Sequence, residues 1–121
     1  MAQPVVHFEI AGKNGAKSRE FYGKLFGWTY EVMKEMDYGV VAAAVPGQSI
    51  GGGVGSTQPG APPYLTFYVM VDDLSAYLKR AESMGATTIL PPTPIPNVGA
   101  CAMFTDPDGL MVGLFVPSSM G

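Results

Sequence analysis

Val5 to Ile10 is a short apolar run in which alternation at period two places His7 and Glu9 on one face of a strand. Asn14 is positioned to cap a helix over Gly15 to Phe26, with Phe21, Leu25 and Phe26 at helical spacing and Gly27 ending it in a left-handed conformation. Aromatic and β-branched residues in Trp28 to Met33 and Tyr38 to Ala44, separated by the polar stretch Lys34 to Asp37, predict a hairpin. A fourth strand is expected near Ile50 to Gly55. The second half repeats this order: a strand over Leu65 to Val71, a helix capped by Asp72 or Asp73, and strands near Thr87 to Leu90, Gly99 to Thr105 and Met111 to Pro117. Leu74, Tyr77, Leu78, Ala81 and Met84 give the second helix its apolar stripe. Gly27-Trp28-Thr29 and Gly85-Ala86-Thr87 occupy matching places 58 residues apart.

The chain therefore reads as two βαβββ modules, about residues 1–58 and 59–121, within one domain. Each module alone would be marginal, because a four-stranded sheet with one helix leaves a second face in water. The expected class is α+β, a curled mixed sheet around a cleft with the helices outside. The aromatic group Phe21, Tyr22, Phe26 and Trp28 is expected in the core, and Pro91 to Pro96 is expected to be a semi-rigid loop.

Composition narrows the function. Of 121 residues, 47% are hydrophobic and 14% charged, with a net charge of −3 and scattered lysines and arginines. No basic patch is available to neutralise phosphates or dock on an anionic membrane, so neither nucleic acid nor membrane is an expected partner. The single cysteine, Cys101, has no partner for an intrachain disulfide. That fits a reducing compartment, with the cytoplasm as the expected location and an inert buried thiol as the expected state of Cys101. Open sheet edges and the apolar composition lead to the expectation of a homodimer.

Three stretches carry a resemblance: His7-Phe8-Glu9-Ile10, the helix-to-strand segment from Phe21 to Trp28, and the closing Asp106-Pro107-Asp108-Gly109. With the paired modules, they make the chain similar to the vicinal oxygen chelate superfamily, which includes glyoxalase I, extradiol dioxygenases and bleomycin-resistance proteins. The resemblance implies four metal-ligand positions, on the first and last strands of each module, usually His or Glu. His7 matches the first. The second falls near Gly52 or Gly53, the third at Thr66 or Tyr68, and the fourth at Gly113, where metal-binding relatives have Glu. His7 is the one histidine of the chain, whereas such sites need about three protein ligands, so no metal or other cofactor is expected.

Three functions compete. The leading one is metal-independent binding of a small apolar or aromatic molecule in the sheet cleft, by His7, Glu9, Gly52, Thr66, Tyr68, Met103 and Gly113. Gly52 and Gly113 are expected there to leave space where ligand side chains stand in metal-binding relatives, and methionines such as Met103 to line an adaptable wall. The second is a glyoxalase-related lyase or isomerase with His7 and Glu9 as the candidate catalytic pair for proton transfer. A metal-dependent glyoxalase or dioxygenase ranks last. His7 could equally be a structural histidine hydrogen-bonded to Glu9 or Tyr68, and Glu9, an in-facing carboxylate, must be paired, solvated or protonated.

Overall fold

A computed structural model describes residues 2–118 and contains, among them, two α-helices and eight strands in an α+β arrangement of mixed parallel and antiparallel pairing. The chain divides into two compact units. One is His7–Thr66. The other runs from Phe67 onward and includes the residues up to Val6, so the boundaries lie several residues from the midpoint of the sequence repeat.

The first unit holds most of β1 (Val5–Gly12), then α1 (Gly15–Phe26), β2 (Glu31–Met33), β3 (Tyr38–Val41) and β4 (Gly51–Ser56). Its strands lie in the order β2-β3-β4-β1, with β1 parallel to β4 and the other pairs antiparallel. The bounds of α1 are those that its caps predict: the Asn14 side chain accepts from the Lys17 N–H, and Gly27 sits at φ 74° with its N–H donating to the Gly23 carbonyl. Lys34–Met36 form a 3₁₀ turn, and Asp37, at φ 48°, then turns the chain into β3. That turn is pinned from α1. Arg19 donates through Nη1 to the carbonyls of Asp37 and Val54, at 3.2 and 3.0 Å, and through Nη2 to Asp37 Oδ1 at 2.9 Å. Asp37 also accepts from Ser56 Oγ. The Ser56 bond first, and then Arg19, hold the Asp37 carboxyl below the ordinary aspartate range.

The second unit holds most of β5 (Tyr64–Met70), then α2 (Leu74–Ser83), β6 (Thr87–Ile95), β7 (Gly99–Thr105) and β8 (Met111–Pro117), with its strands in the order β5-β8-β7-β6. Here β5 and β8 are parallel and the remaining pairs antiparallel, the same pattern as in the first unit. Asp73 caps α2 by accepting from the Ala76 N–H. The predicted stripe buries Leu74 and Leu78 against Val71, Ala102 and Leu114. Each such leucine contributes about 1.5 to 3 kcal/mol of burial free energy.

Two expectations are corrected. The Pro91–Pro96 stretch is largely strand, since β6 continues to Ile95. Prolines are tolerated there because β6 lies at the end of the unit's strand order and its register against β7 shifts twice, between Thr88 and Leu90 and between Leu90 and Thr93. The aromatic group on α1 is not core. Phe21 and Phe26 are 59% and 57% exposed, and the one buried residue of α1 is Gly15, whose N–H donates to Ser56 Oγ at 2.7 Å. The rings instead pack on one another: Tyr22 stacks on Phe26 and Trp28, and Trp28 leans at a tilt against Phe8 of β1.

The ring of Tyr30 lies against Gly23 and Gly39, and its Oη is buried with no hydrogen-bond partner among the described residues. Burial, the largest influence, pushes this phenol above its ordinary pKa. An unsatisfied buried hydroxyl costs about 1 to 3 kcal/mol. Tyr30→Phe is therefore expected to raise the stability measured by urea unfolding by about 1 kcal/mol. A drop in stability would mean that the hydroxyl holds something in place.

Candidate functional site

Alternation along β1 puts His7 and Glu9 on one face and Phe8 on the other, and the parallel register places Gly51 and Gly53 beside the first pair and Gly52 beside Phe8. Gly52 is thus turned away from His7 and Glu9. A Cβ there would run into the Phe8 ring, so the open space expected at Gly52 does not exist. Gly53, together with Gly51, shares the candidate site's face.

Two tyrosines that the sequence reading did not single out complete the constellation. Tyr38 opens β3 immediately after the turn held by Arg19 and Asp37, and its ring crosses Gly53, where a Cβ would collide with the phenol carbon and oxygen. Tyr38 Oη lies 2.7 Å from His7 Nε2 and donates to Glu9 Oε1 at 3.0 Å. Tyr64, the first residue of β5, donates to Glu9 Oε2 at 2.5 Å. Glu9 is 8% exposed, and each of its oxygens accepts a phenolic hydrogen. The Tyr38 hydrogen goes to the carboxylate, so His7 donates from Nε2 to Tyr38 Oη. The order of donation is imidazole, phenol, carboxylate. Thr66 is buried on β5 and shares the face of Tyr64 by alternation. The glycine-rich Gly51–Ser56 strand was the available signal for Tyr38, because glycines on a sheet face are often covered by an aromatic from the neighbouring strand.

Burial is the largest influence on His7 and lowers its pKa below the ordinary imidazole value of about 6.5, while the nearby Glu9 charge raises it. The net direction is down, so the folded protein holds His7 neutral where the unfolded chain would already be protonated. Stability is then complete above about pH 6.5 and falls as pH drops through the lower folded value. His7→Asn is expected to flatten this part of the Tm profile between pH 7 and pH 5. An unchanged slope in the variant would assign it to another group.

The predicted residues of the second unit form their own row. Tyr68, Gly113 and Met103 are register partners across β5, β8 and β7, and Tyr68 Oη lies 3.8 Å from Met103 Sδ. The Tyr68 ring covers Gly113 so closely that a Cβ would overlap it. The second expected space, at Gly113, is therefore filled by the neighbouring ring. Cys101, on β7, is buried as expected. Each unit also has a surface pocket: about 570 Å³ beside Trp28, Tyr30 and Val40 in the first, and about 500 Å³ beside Val69, Tyr77 and Phe104 in the second. His7, Glu9 and Gly113 line neither.

The donor set does not suit a metal ion of the kind the family resemblance implies. No three His, Cys, Asp or Glu side chains are grouped to hold one among the described residues. What surrounds His7 and Glu9 is a pair of phenols engaged in hydrogen bonds. Nor is any helix among those residues long and apolar enough to cross a membrane.

Comparison with known proteins agrees with this architecture. The anthracycline biosynthesis protein DnrV of Streptomyces peucetius is 32% identical over 117 residues, a match covering 84% of this chain and 42% of that protein. DauV of Streptomyces sp. strain C5 matches to the same extent, so the chain spans less than half the length of these curated relatives. Among solved structures, methylmalonyl-CoA epimerase from Mycobacterium tuberculosis superposes with a TM-score of 0.64 at 18% identity, over 94% of this chain and 87% of that one. Similarity at that identity concerns the fold. With a family model matching residues 5–114 and module order, register and relatives in agreement, the chain belongs to the Glyoxalase/Bleomycin resistance protein/Dioxygenase superfamily.

Proposed function

We propose that the chain binds a small apolar or aromatic molecule without a metal ion, on the sheet face that carries His7 and Glu9. The observation behind this reading is the engagement of Glu9: both oxygens already accept hydrogens from Tyr38 and Tyr64. A general base must be reached by the substrate proton, whereas this carboxylate is 8% exposed and lies beneath the two phenols that it holds in place. Phenol rings and a neutral imidazole offer flat contact surface with a few polar edges, the chemistry that suits an aromatic ligand with hydroxyl or carbonyl groups. The match to a protein of anthracycline biosynthesis supports the aromatic class. A reducing, cytoplasmic setting is part of the same reading and rests on the lone buried cysteine.

The second reading is proton transfer of lyase or isomerase type, and the continuous chain from His7 through Tyr38 to Glu9 favours it, because such a chain can pass a proton along its hydrogen bonds. One set of experiments separates the two. Aromatic polyketides and simple polyphenols are screened by thermal shift against the wild type and Tyr38→Phe, and each compound that binds is incubated in deuterium oxide and weighed. A Tm rise that Tyr38→Phe reduces, with no deuterium gained at carbon and no dependence on chelator, supports binding. Catalysed carbon-bound deuterium uptake establishes the second reading. A rise that appears only with added zinc or manganese, and vanishes in His7→Ala, overturns metal independence.

A further inference from the structure

The sequence repeat matches the C-terminal end of α1 to that of α2, and the two ends are filled differently. Tyr22, Phe26 and Trp28 stand 58 residues before Arg80, Met84 and Ala86. In the first unit the Tyr22 and Trp28 rings lie 5.7 Å apart, and Trp28 lies 5.3 Å from Phe8, on the sheet face turned away from His7 and Glu9. Those rings cover the sheet beside the helix end. In the second unit an arginine and an alanine stand at the places of the phenol and the indole, and the pocket of about 500 Å³ opens there, with Arg80, Met84 and Ala86 all in its wall. Its floor is the sheet face that carries Leu114, where Val69 and Phe104 pack on the core but stay only half-buried. The second unit keeps open a space that the first fills with its own side chains.

We propose that this pocket is a second small-molecule site, built from residues other than those around His7 and Glu9, and that its ligand is a flat aromatic acid carrying a hydroxyl group. The volume falls in the range of about 300 to 1,000 Å³ usual for such sites. The apolar wall takes the rings, as Phe8 takes Trp28 at the matching place in the first unit. Arg80 and Asp106 are the charged residues in the wall, and they set the ligand's polar groups. The exposed Arg80 guanidinium makes no hydrogen bond or ion pair with another described residue, so its planar fork is available to a carboxylate. Asp106 Oδ1 accepts from the N–H groups of Asp108 and Leu110, both at 2.9 Å, which fixes this carboxylate in its turn and leaves Oδ2 to accept a hydroxyl hydrogen. A plain hydrocarbon would answer neither residue, and a second carboxylate on the ligand would meet Asp106. The site does not rest on the reading of the His7 face.

The test is a titration of the full chain, methyl-labelled at methionine and alanine, with 6-hydroxy-2-naphthoate, followed by NMR, with circular dichroism to confirm folding of each variant. The Met84 and Ala86 methyls report on this pocket and the Met103 methyl on the row with Tyr68, so the two places are read separately. In the wild type the Met84 and Ala86 signals are expected to shift together and saturate with a Kd below about 1 mM. Arg80→Gln, at an exposed position, should raise that Kd about tenfold while leaving the Kd of 2,6-dihydroxynaphthalene, which has no carboxylate, within about twofold. Ala86→Trp restores the indole of the first unit and should abolish the response of Met84. Met84→Trp, at a position 72% exposed, blocks the same wall, is read at Ala86, and serves if Ala86→Trp does not fold. Wild-type Met84 and Ala86 signals that stay unmoved at about 2 mM naphthoate overturn the proposal, as does a response that survives the folded tryptophan variants. Shifts confined to Met103 overturn it in favour of the other sheet face. An equal loss of both compounds in Arg80→Gln overturns the pairing of Arg80 with the carboxylate.

Discussion

Gly53→Val is expected to cost about 3 kcal/mol of stability, although Gly53 is an ordinary strand residue with no left-handed backbone. The cause lies across the sheet. A Cβ at this position would sit on the phenol of Tyr38, so the ring must leave. Leaving breaks both of its hydrogen bonds, to His7 and to Glu9. The buried Glu9 then loses one of its two phenolic donors, and an imperfectly paired buried carboxylate adds its own desolvation cost. A double-mutant cycle isolates the effect. In a Tyr38→Ala background the same Gly53→Val change has no ring to displace and should cost less than about 1 kcal/mol. Urea unfolding of the four proteins gives the coupling directly. Equal costs in both backgrounds would show that the ring and the glycine are independent. The same variant should lose the thermal response to aromatic ligands, because the imidazole-to-carboxylate chain is interrupted at its middle member.

What could be read from the sequence follows from which physical signals are local. The ends of α1 depend on Asn14 and Gly27, whose side-chain cap and left-handed backbone are properties of single positions, and they fall where expected. Leu74 and Leu78 on α2 combine helical period with an apolar stripe, and they are buried. On α1 the period is as expected but the facing is not: Phe21, Leu25 and Phe26 are exposed, because the small Gly15 and the polar Arg19, which carry no hydrophobic signal, hold the helix to its sheet. The candidate site divides in the same way. His7 and Glu9 follow from alternation along one strand, which needs no knowledge of neighbours. Tyr38 and Tyr64 lie 29 and 55 residues from Glu9, and only the strand pairing and the approach of their rings bring them to it. The glycines depart from expectation for a related reason. Absence of a side chain does not by itself make space, because strands in a sheet lie about 4.8 Å apart, and an aromatic on the next strand readily lies over a bare backbone.

Gly113→Phe is the sharpest consequence of that correction. A preformed void at this position would accept the larger side chain with little loss. The Tyr68 ring, however, already covers Gly113, and the register sets Tyr68 on one flank and Met103 on the other. Phenylalanine would have to displace a half-buried tyrosine whose hydroxyl lies against the Met103 sulfur, in a row whose methionine is buried. Overpacking of this kind costs about 1 to 3 kcal/mol and sometimes more, and a whole ring places this case at the upper end, about 3 kcal/mol. Removing the obstacle should reverse the loss. Tyr68→Gly combined with Gly113→Phe exchanges an aromatic and a glycine between paired positions on neighbouring strands, conserving nearly all the volume. The exchanged protein should recover at least half of the stability lost by Gly113→Phe alone, measured by urea unfolding. Gly113→Phe that unfolds at the wild-type midpoint would mean that Tyr68 swings aside at no cost. Failure of Tyr68→Gly to recover stability would instead assign the loss to the Met103 side of the row, and Met103→Ala in the Gly113→Phe background would then be the variant that restores it.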